Sequence, residues 1–444
     1  MNQIRNPLLQ ETLFDEEADD FAAPVSPLPR RVTPLEGIAY LLLVLGSGGF
    51  LASILGWIGG GWGSFLFVFG SLTAGGVLLP WARYGNTSPG VKNDRTFFRG
   101  ISTRGITGWA AGVLLTGFYV VLYWRSDLLE GGIRLVDPLA LVLTGEEAGK
   151  WFLYGFLYSL AVLLFGFRMI LRWRGNPYQI LRTFSVIFFQ LGLAFLLPHL
   201  LALFEQPEFY FTYFWPLKTE YLWPSGFRWL ASHPGGLGVF MAFWGLAMTF
   251  LATPVLTYFF GKRWYCSWVC GCGGLAETMG DPWRHLSNKS DAVWRIERIS
   301  IYTILAVVTA GTAVLWINSA MEGGLLGTLS QGFAEWYGFL IGSLFAGVIG
   351  VGFYPLMGPR VWCRFGCPMA AILGLLQVKA SRFRIETNGG QCMSCGNCST
   401  YCEMGIDVRS YAQKGDPILR ASCVGCGLCS SVCPRGVLRL GGRK

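Results

Sequence analysis

Eight of the chain's 13 cysteines lie in two runs near the C-terminus. One run is Cys392, Cys395, Cys398 and Cys402; the other is Cys423, Cys426, Cys429 and Cys433, followed by Pro434. Both have the spacing Cys-x2-Cys-x2-Cys-x3-Cys. Thiolates this close wrap three corners of an iron–sulfur cube, and the fourth ligand comes from the other run. One [4Fe-4S] cluster then takes Cys392, Cys395, Cys398 and Cys433, and a second takes Cys423, Cys426, Cys429 and Cys402. Zinc and disulfides are the bland alternatives. Zinc sites usually show two separated pairs of ligands, so four closely spaced thiols, repeated, fit zinc poorly.

Four further cysteines form a second pattern. Gly261, Arg263, Tyr265, Cys266 and Cys270 recur at the same spacing as Gly358, Arg360, Trp362, Cys363 and Cys367, with Pro368 after the second copy. Each copy follows an apolar run, at its basic end. With i, i+4 spacing, Cys266 and Cys270 are expected on one helix face, and so are Cys363 and Cys367. Four thiolates converging from two equivalent helix ends could hold iron–sulfur, copper(I) or zinc. The plainer reading is packing, since free cysteine behaves as a small buried hydrophobe. A disulfide is disfavoured on a reducing, cytoplasmic side. Cys272 has no partner in the second copy, where Met369 stands. It reads as a fifth thiol, a replacement ligand or packing.

These motifs must be carried by a membrane scaffold. Of 444 residues, 52% are hydrophobic and 14% charged, whereas a soluble domain carries roughly 25% charge. Apolar runs near the ~20 residues that span a bilayer occupy 35–58, 62–82, 105–124, 151–170, 184–204, 237–260, 299–319 and 336–357. The second is the weakest, because the glycines at 59–61 leave only a very short turn before it. The expected fold is therefore an α-helical polytopic membrane protein of about eight spans with a small C-terminal α+β domain. Its parts are a cytoplasmic tail over 1–34, a membrane region over 35–236, a second membrane region with the paired Cys-x3-Cys motifs over 237–380, and a two-cluster domain over 381–444.

Charge sets the orientation. Arg83, Lys92, Arg95, Arg99 and Arg104 precede the third span; Arg168, Arg172, Arg174 and Arg182 lie between the fourth and fifth. Lys262, Arg263, Arg284, Lys289, Arg295 and Arg298 follow the sixth, and Arg360, Arg364, Lys379, Arg382 and Arg384 follow the eighth. The alternate loops hold Asp127, Glu130, Asp137, Glu146 and Glu147, then Glu205, Glu208 and Glu220. Excess Lys and Arg marks the cytoplasmic side, so both termini are expected inside, in the inner membrane of a bacterium. The net charge of +9 is then a topology signal; a nucleic-acid footprint would need a soluble basic face. The first 34 residues, acidic and proline-rich, read as a disordered tail without the apolar core of a signal peptide. The aromatic loop 205–235, with Phe209, Phe214, Trp223 and Trp229 among its rings, reads as an interfacial belt.

Several chemistries are absent. No Cys-x-x-Cys-His occurs, which excludes covalent haem c. Of the three histidines, only His199 falls in a span, so a chain of haems through the bilayer lacks axial ligands. No Walker A motif or Gly-x-Gly-x-x-Gly after a strand is present. Gln190 is a polar group in the fifth span. Polar groups there are functional candidates by default, and a quinone headgroup is one candidate partner.

Two Cys-x3-Cys motifs after membrane spans, followed by eight cysteines in two cubane-binding runs, resemble the NapH-type membrane polyferredoxins. Related families are the NosR-type proteins of nitrous oxide respiration and the polyferredoxin assembly factors of cytochrome oxidase. The resemblance covers about 237–444 and rests on Cys266, Cys270, Cys363, Cys367, Pro368 and the eight C-terminal cysteines. The chain departs from it at Gly271, where the family has proline, at Glu403, where proline often stands, and in the extra spans before 237. The resemblance implies a bacterial-type ferredoxin domain and electron exchange between the quinone pool and a respiratory enzyme, with redox partner subunits. It points to an electron-transfer subunit rather than a stand-alone enzyme. Two rival readings are a copper-handling oxidase-assembly factor, with copper(I) on the four membrane cysteines, and a redox-sensing regulatory subunit.

Overall fold

A computed structural model describes residues 32–85, 105–233, 236–321, 327 and 329–442. The acidic tail falls almost wholly outside these residues, and so does most of the basic stretch at 83–104.

Among the described residues, eight helices are long and apolar enough to cross a membrane. They are α1 (Pro34–Ile54), α2 (Trp62–Tyr84), α3 (Ile106–Trp124), α4 (Lys150–Arg172), α5 (Pro177–Leu203), α6 (Leu237–Phe260), α9 (Asp291–Ala320) and α10 (Leu329–Ile349). Between α6 and α9 lie two short helices, α7 (Arg263–Cys266) and α8 (Gly271–Thr278). After α10 come α11 (Val361–Phe365) and α12 (Pro368–Ala380).

Local chemistry explains the ends. Thr33 caps α1: Glu36 N donates to its hydroxyl at 3.2 Å, while Thr33 N donates to the Glu36 carboxylate at 2.9 Å. This capping box satisfies donors that a helix start leaves open. The doubted second span is a full helix packed closely on the first. A Cβ at Gly46 would lie 2.6 Å from Leu72, and one at Gly75 would lie 2.9 Å from the Ala39 carbonyl. Small residues at such contacts let membrane helices approach.

The C-terminal domain closes with a two-stranded antiparallel sheet, β1 (Phe383–Thr387) on β2 (Leu438–Gly442), pairing Ile385 with Leu440. Between the strands lie the short helices α13 (Asn397–Thr400), α14 (Val408–Lys414) and α15 (Leu428–Ser431). This domain is not a separate bead. One buried core unites Phe383, Ile385, Val424 and Leu438 with Cys266, Cys270, Cys363 and Cys367.

The aromatic loop departs from the belt reading. Phe209 and Phe214 are fully buried and Trp223 nearly so, while Trp229 stays exposed. The Tyr265 hydroxyl donates to the Thr212 carbonyl at 2.8 Å, and Phe214 packs edge-on to Tyr265. Much of the loop therefore folds back into the bundle, because its backbone finds a partner there.

Candidate functional site

The two C-terminal runs fold as one motif used twice. Ser394 and Gly425, then Gly396 and Gly427, then Gly405 and Gly436 all take positive φ between 60° and 74° at equivalent places. This left-handed backbone bends each loop so that its amides and thiols face inward, and it costs glycine least. Helices α13 and α15 then start after Gly396 and Gly427.

Two recesses result. The outer, of about 350 Å³, is lined by Cys392, Cys395, Cys398 and Cys433. The inner, of about 370 Å³, is lined by Cys402, Cys423, Cys426 and Cys429. In each, three thiols come from one run and the fourth from the other. That donor set, all thiol and enclosed on several sides, fits an iron–sulfur cube. Burial pushes the Cys423 thiol up to about 11 and Cys429 well above its usual range. Coordinated metal reverses that effect by deprotonating the thiols outright.

The Cys-x3-Cys motifs also repeat in three dimensions, but not as single helix faces. Cys266 ends α7, and Cys270 is the cap residue before α8; Cys363 sits in α11, and Cys367 is the cap before α12. The expected i, i+4 helical pairing is thus broken by a turn in both copies. The reason is visible in the backbone. Gly261 ends α6 with φ of 67°, and Gly358 ends a single helical turn, Tyr354–Met357, with φ of 88°. Cys270 N donates to the Tyr265 carbonyl at 2.8 Å, and Cys367 N to the Trp362 carbonyl at 3.0 Å, which closes each turn. All four cysteines are buried in one cluster. They are close enough for each to raise its neighbours. Burial is the main cause for Cys266, pushed up to about 12, and for Cys367, with nearby thiols adding. Cys270 is raised first by its hydrogen bond with Cys272 and then by burial.

The first cysteine pair packs along α5. Helix α5 acts as a ruler. At its start the Tyr178 hydroxyl donates to the Gly425 carbonyl and Gln179 Nε2 to the Cys426 carbonyl, both at 2.9 Å. Further along, Ser185 donates to the Trp268 carbonyl at 2.9 Å. At Gln190, the midpoint of α5, a Cβ on Gly271 would lie 2.5 Å from the amide oxygen. From Gln179 to Gln190 the helix rises about 16 Å. So Gly271, next to Cys270, lies against the middle of α5.

Gly271 also explains one departure from the family pattern. A Cβ there would come within 2.4 Å of the Tyr213 hydroxyl as well. In the second copy Pro368 occupies the equivalent position. The small residue admits two polar groups beside Cys270 and Cys272. Gln190 is buried, donates to Ser159 at 3.3 Å, and its amide oxygen has no partner.

A buried ion-pair network joins the sites; the basic stretches had pointed only to topology. Asp281 accepts from Arg168 at 2.8 Å, Arg172 at 2.5 Å and Arg284 at 2.9 Å. Burial opposes its charge, yet Arg172, Arg168 and Arg284 hold it well below the usual carboxylate range. Glu403 accepts from Arg284 and, at 2.7 Å, from Arg360; Glu277 accepts from Arg182 and, at 2.7 Å, from Arg360. Arg360 also reaches the Cys363 sulfur at 3.7 Å and the Cys266 carbonyl at 3.3 Å. Beside them Arg364 donates to Glu297 at 3.0 Å, and the Ser422 hydroxyl bonds the same carboxylate. Glu277, Glu403 and Cys426 place ligand atoms within 4.8 Å of one another, but both carboxylates are already engaged by guanidinium groups. His199, the one histidine in a span, packs on Phe152 and Phe195.

Comparison with known proteins agrees with the cysteine pattern. The family described as 4Fe-4S binding domain matches residues 241–290 and 327–385, and the 4Fe-4S dicluster domain matches 391–438. YccM of Escherichia coli K12, named for electron transport, is 24% identical over 186 residues, 38% of this chain and 48% of that one. The ferredoxin-type protein NapH of the same organism is 30% identical over 149 residues, 32% of this chain and 48% of that one. An uncharacterized protein of Methanocaldococcus jannaschii is 27% identical over 162 residues, 35% of this chain and 63% of its own. The chain therefore spans about half the length of the first two relatives. No solved structure matches. The resemblance to the NapH-type proteins is borne out over these segments: the chain is a multi-pass membrane protein with 4Fe-4S domains, related to the ferredoxin-type membrane proteins NapH and YccM.

Proposed function

We propose that this is an inner-membrane electron-transfer protein that links the quinone pool, or a membrane redox complex, to a partner through two [4Fe-4S] clusters. It works as a subunit of a respiratory oxidoreductase, with the C-terminal domain and both termini on the cytoplasmic side. Cys392, Cys395, Cys398 and Cys433 hold one cluster; Cys402, Cys423, Cys426 and Cys429 hold the other. Bound there, such clusters supply one-electron transfer. The observation that carries the reading is the pair of recesses, each lined by four thiols drawn from both runs.

Cys266, Cys270, Cys363 and Cys367 form a third redox site. Support comes from their shared burial and from the 4Fe-4S binding domain match that spans both pairs. A hydrocarbon core is about 30 Å thick, and Gly271, beside Cys270, lies against Gln190 at the midpoint of α5. A quinol hydroxyl is the donor we assign to the unpartnered Gln190 oxygen, with the Tyr213 hydroxyl beside it. The all-sulfur, buried donor set also favours a second reading, copper(I) handling during oxidase assembly.

The test is iron, copper and acid-labile sulfide per chain on anaerobically purified protein, with EPR of the reduced state, repeated on a Cys266→Ser/Cys363→Ser variant. About eight irons that survive in the variant, plus extra iron that disappears, is the expected result. Copper lost in the variant would turn the third site toward copper handling. Fewer than about four irons in the unmodified protein would defeat the two-cluster assignment.

A further inference from the structure

Two cations, Lys262 and Arg360, stand between the inner recess and the cysteine quartet. Both are at most 1% exposed. Lys262 donates its ammonium to the Ala421 carbonyl at 3.1 Å, and its backbone N–H donates to Gln377 at 2.7 Å. Among the described residues no carboxylate lies within ion-pair distance of it. Its charge bears on Cys266 and Cys363 of the quartet and on Cys423 of the inner recess. Arg360 touches the quartet at Cys363 and Cys266, and through Glu403 it reaches the residue next to Cys402. One side chain therefore contacts the quartet and a residue that lines the inner recess.

Burying an ammonium without a counter-ion is costly, and the cost falls when an anion lies close. Thiolates gathered around iron and sulfide make such an anion, and its reduced form carries one more negative charge. A fixed buried cation stabilises the reduced form more than the oxidised, and net charge is one of the factors that set such potentials. Among the described residues the outer recess has no equivalent. Arg409 and Arg435 line it, but Arg435 is exposed and Arg409 half-exposed, where water and salt screen their charge.

We infer that Lys262 and Arg360 are the electrostatic bridge between the quartet and the inner recess, and that they set the potential of this inner pair above that of the outer recess. This rests on the functional reading above. The inner pair is then where electrons collect, and the outer recess faces the soluble partner. Glu403 and Glu277 keep Arg360 from adding its full charge, whereas Lys262 has no carboxylate within ion-pair distance among the described residues. Lys262 is for that reason the sharper probe. Removing Arg360 would also take one of two guanidinium partners from each of two buried carboxylates.

The experiment is an EPR-monitored redox titration of the intact, iron-loaded protein with Lys262→Met and Lys262→Arg, alongside iron content. Cys395→Ser, at the outer recess, assigns the two signals. Lys262→Met should leave the outer midpoint unchanged. It should lower the inner midpoint by at least tenfold in the reduction equilibrium, about 59 mV for one electron. Lys262→Arg should stay near the unmodified value. Iron lost from the inner recess in the Met variant but kept in the Arg variant would also support the bridge. No shift, an equal shift of both signals, or iron lost in both variants would overturn it. Unmodified protein without two cluster signals would instead defeat the functional reading itself, before any variant is compared.

Discussion

The outer and inner recesses share a backbone and differ in nearly everything around it. Ser394, Gly396 and Gly405 repeat as Gly425, Gly427 and Gly436 with the same left-handed turns. Yet Cys392, Cys395 and Cys433 stand on a partly exposed rim, beside exposed Met393 and Arg435. Cys423 and Cys429 are buried, against α5 and a shell of arginines and carboxylates. The lesson lies in the positions that break the repeat. Pro434 follows Cys433, whereas Glu403 follows Cys402, and Glu403 is the carboxylate that Arg284 and Arg360 share. The motif sets ligand geometry; its exceptions set the environment.

The largest expected effect tests that difference directly. Glu403→Gln removes the charge that pairs two fully buried guanidinium groups. Breaking a buried pair from one side typically costs about 3–5 kcal/mol, because the remaining charge stays buried. Denaturant unfolding of the detergent-solubilised protein should show that loss. The equivalent change at the outer recess, Pro434→Ala, should stay within about 1 kcal/mol, as exposed substitutions usually do. Similar losses in both would mean that the two environments do not differ energetically.

Much of this was legible in the sequence. All eight spans were found, because hydrocarbon-length apolar runs are a strong signal, but helix ends were missed in the fifth, seventh and eighth, where the helices start at Pro177, Asp291 and Leu329 rather than at 184, 299 and 336. The recesses followed from spacing alone. The ion-pair network was not legible. Arg172, Arg182, Arg284 and Arg360 count toward an orientation rule whether they face water or Asp281, Glu277 and Glu403. The partners are remote in sequence, and no local pattern links them. A hint was present in Glu403 and Gly271, the two departures from the family pattern. The turn between Cys266 and Cys270 was missed because i, i+4 spacing fits a helix and a tight turn equally well. The loop at 205–235 was missed because aromatic rings suit both a headgroup layer and a core.

A middle-sized effect concerns the thiols. In protein freed of iron by a chelator, with helicity checked by circular dichroism, Cys423 and Cys429 should react with iodoacetamide far more slowly than rim thiols such as Cys392. Burial lifts Cys423 to about 11. The thiolate is the nucleophile, so at pH 8 only about one molecule in a thousand is reactive there. A raised thiol gains reactivity as pH climbs toward its folded value. Labelling of Cys423 should therefore keep rising up to about pH 11. Cys423 labelling as fast as Cys392 at pH 8 would show that the inner recess opens when metal leaves.

The smallest effect separates docking from charge. Gln179 ties α5 to the inner run: its amide nitrogen donates to the Cys426 carbonyl at 2.9 Å and to Ser431 at 3.3 Å, and its oxygen accepts from Arg182 at 2.7 Å. Gln179→Ala strands a buried carbonyl, at a cost of about 1–2 kcal/mol. No ion pair is touched, so stability should fall less than with Glu403→Gln. The change should be local, because the outer run makes no such bond to α5 among the described residues. Hydrogen exchange of amides between Cys423 and Ser431 should speed up by roughly tenfold, the equivalent of about 1.4 kcal/mol, while those between Cys392 and Thr400 keep their rates. Local opening of that kind is how weakened docking shows before global unfolding does. Equal acceleration in both runs would mean that the two recesses open as one unit. The contrast between them would then reside in charge alone, not in how firmly each is held against the membrane helices.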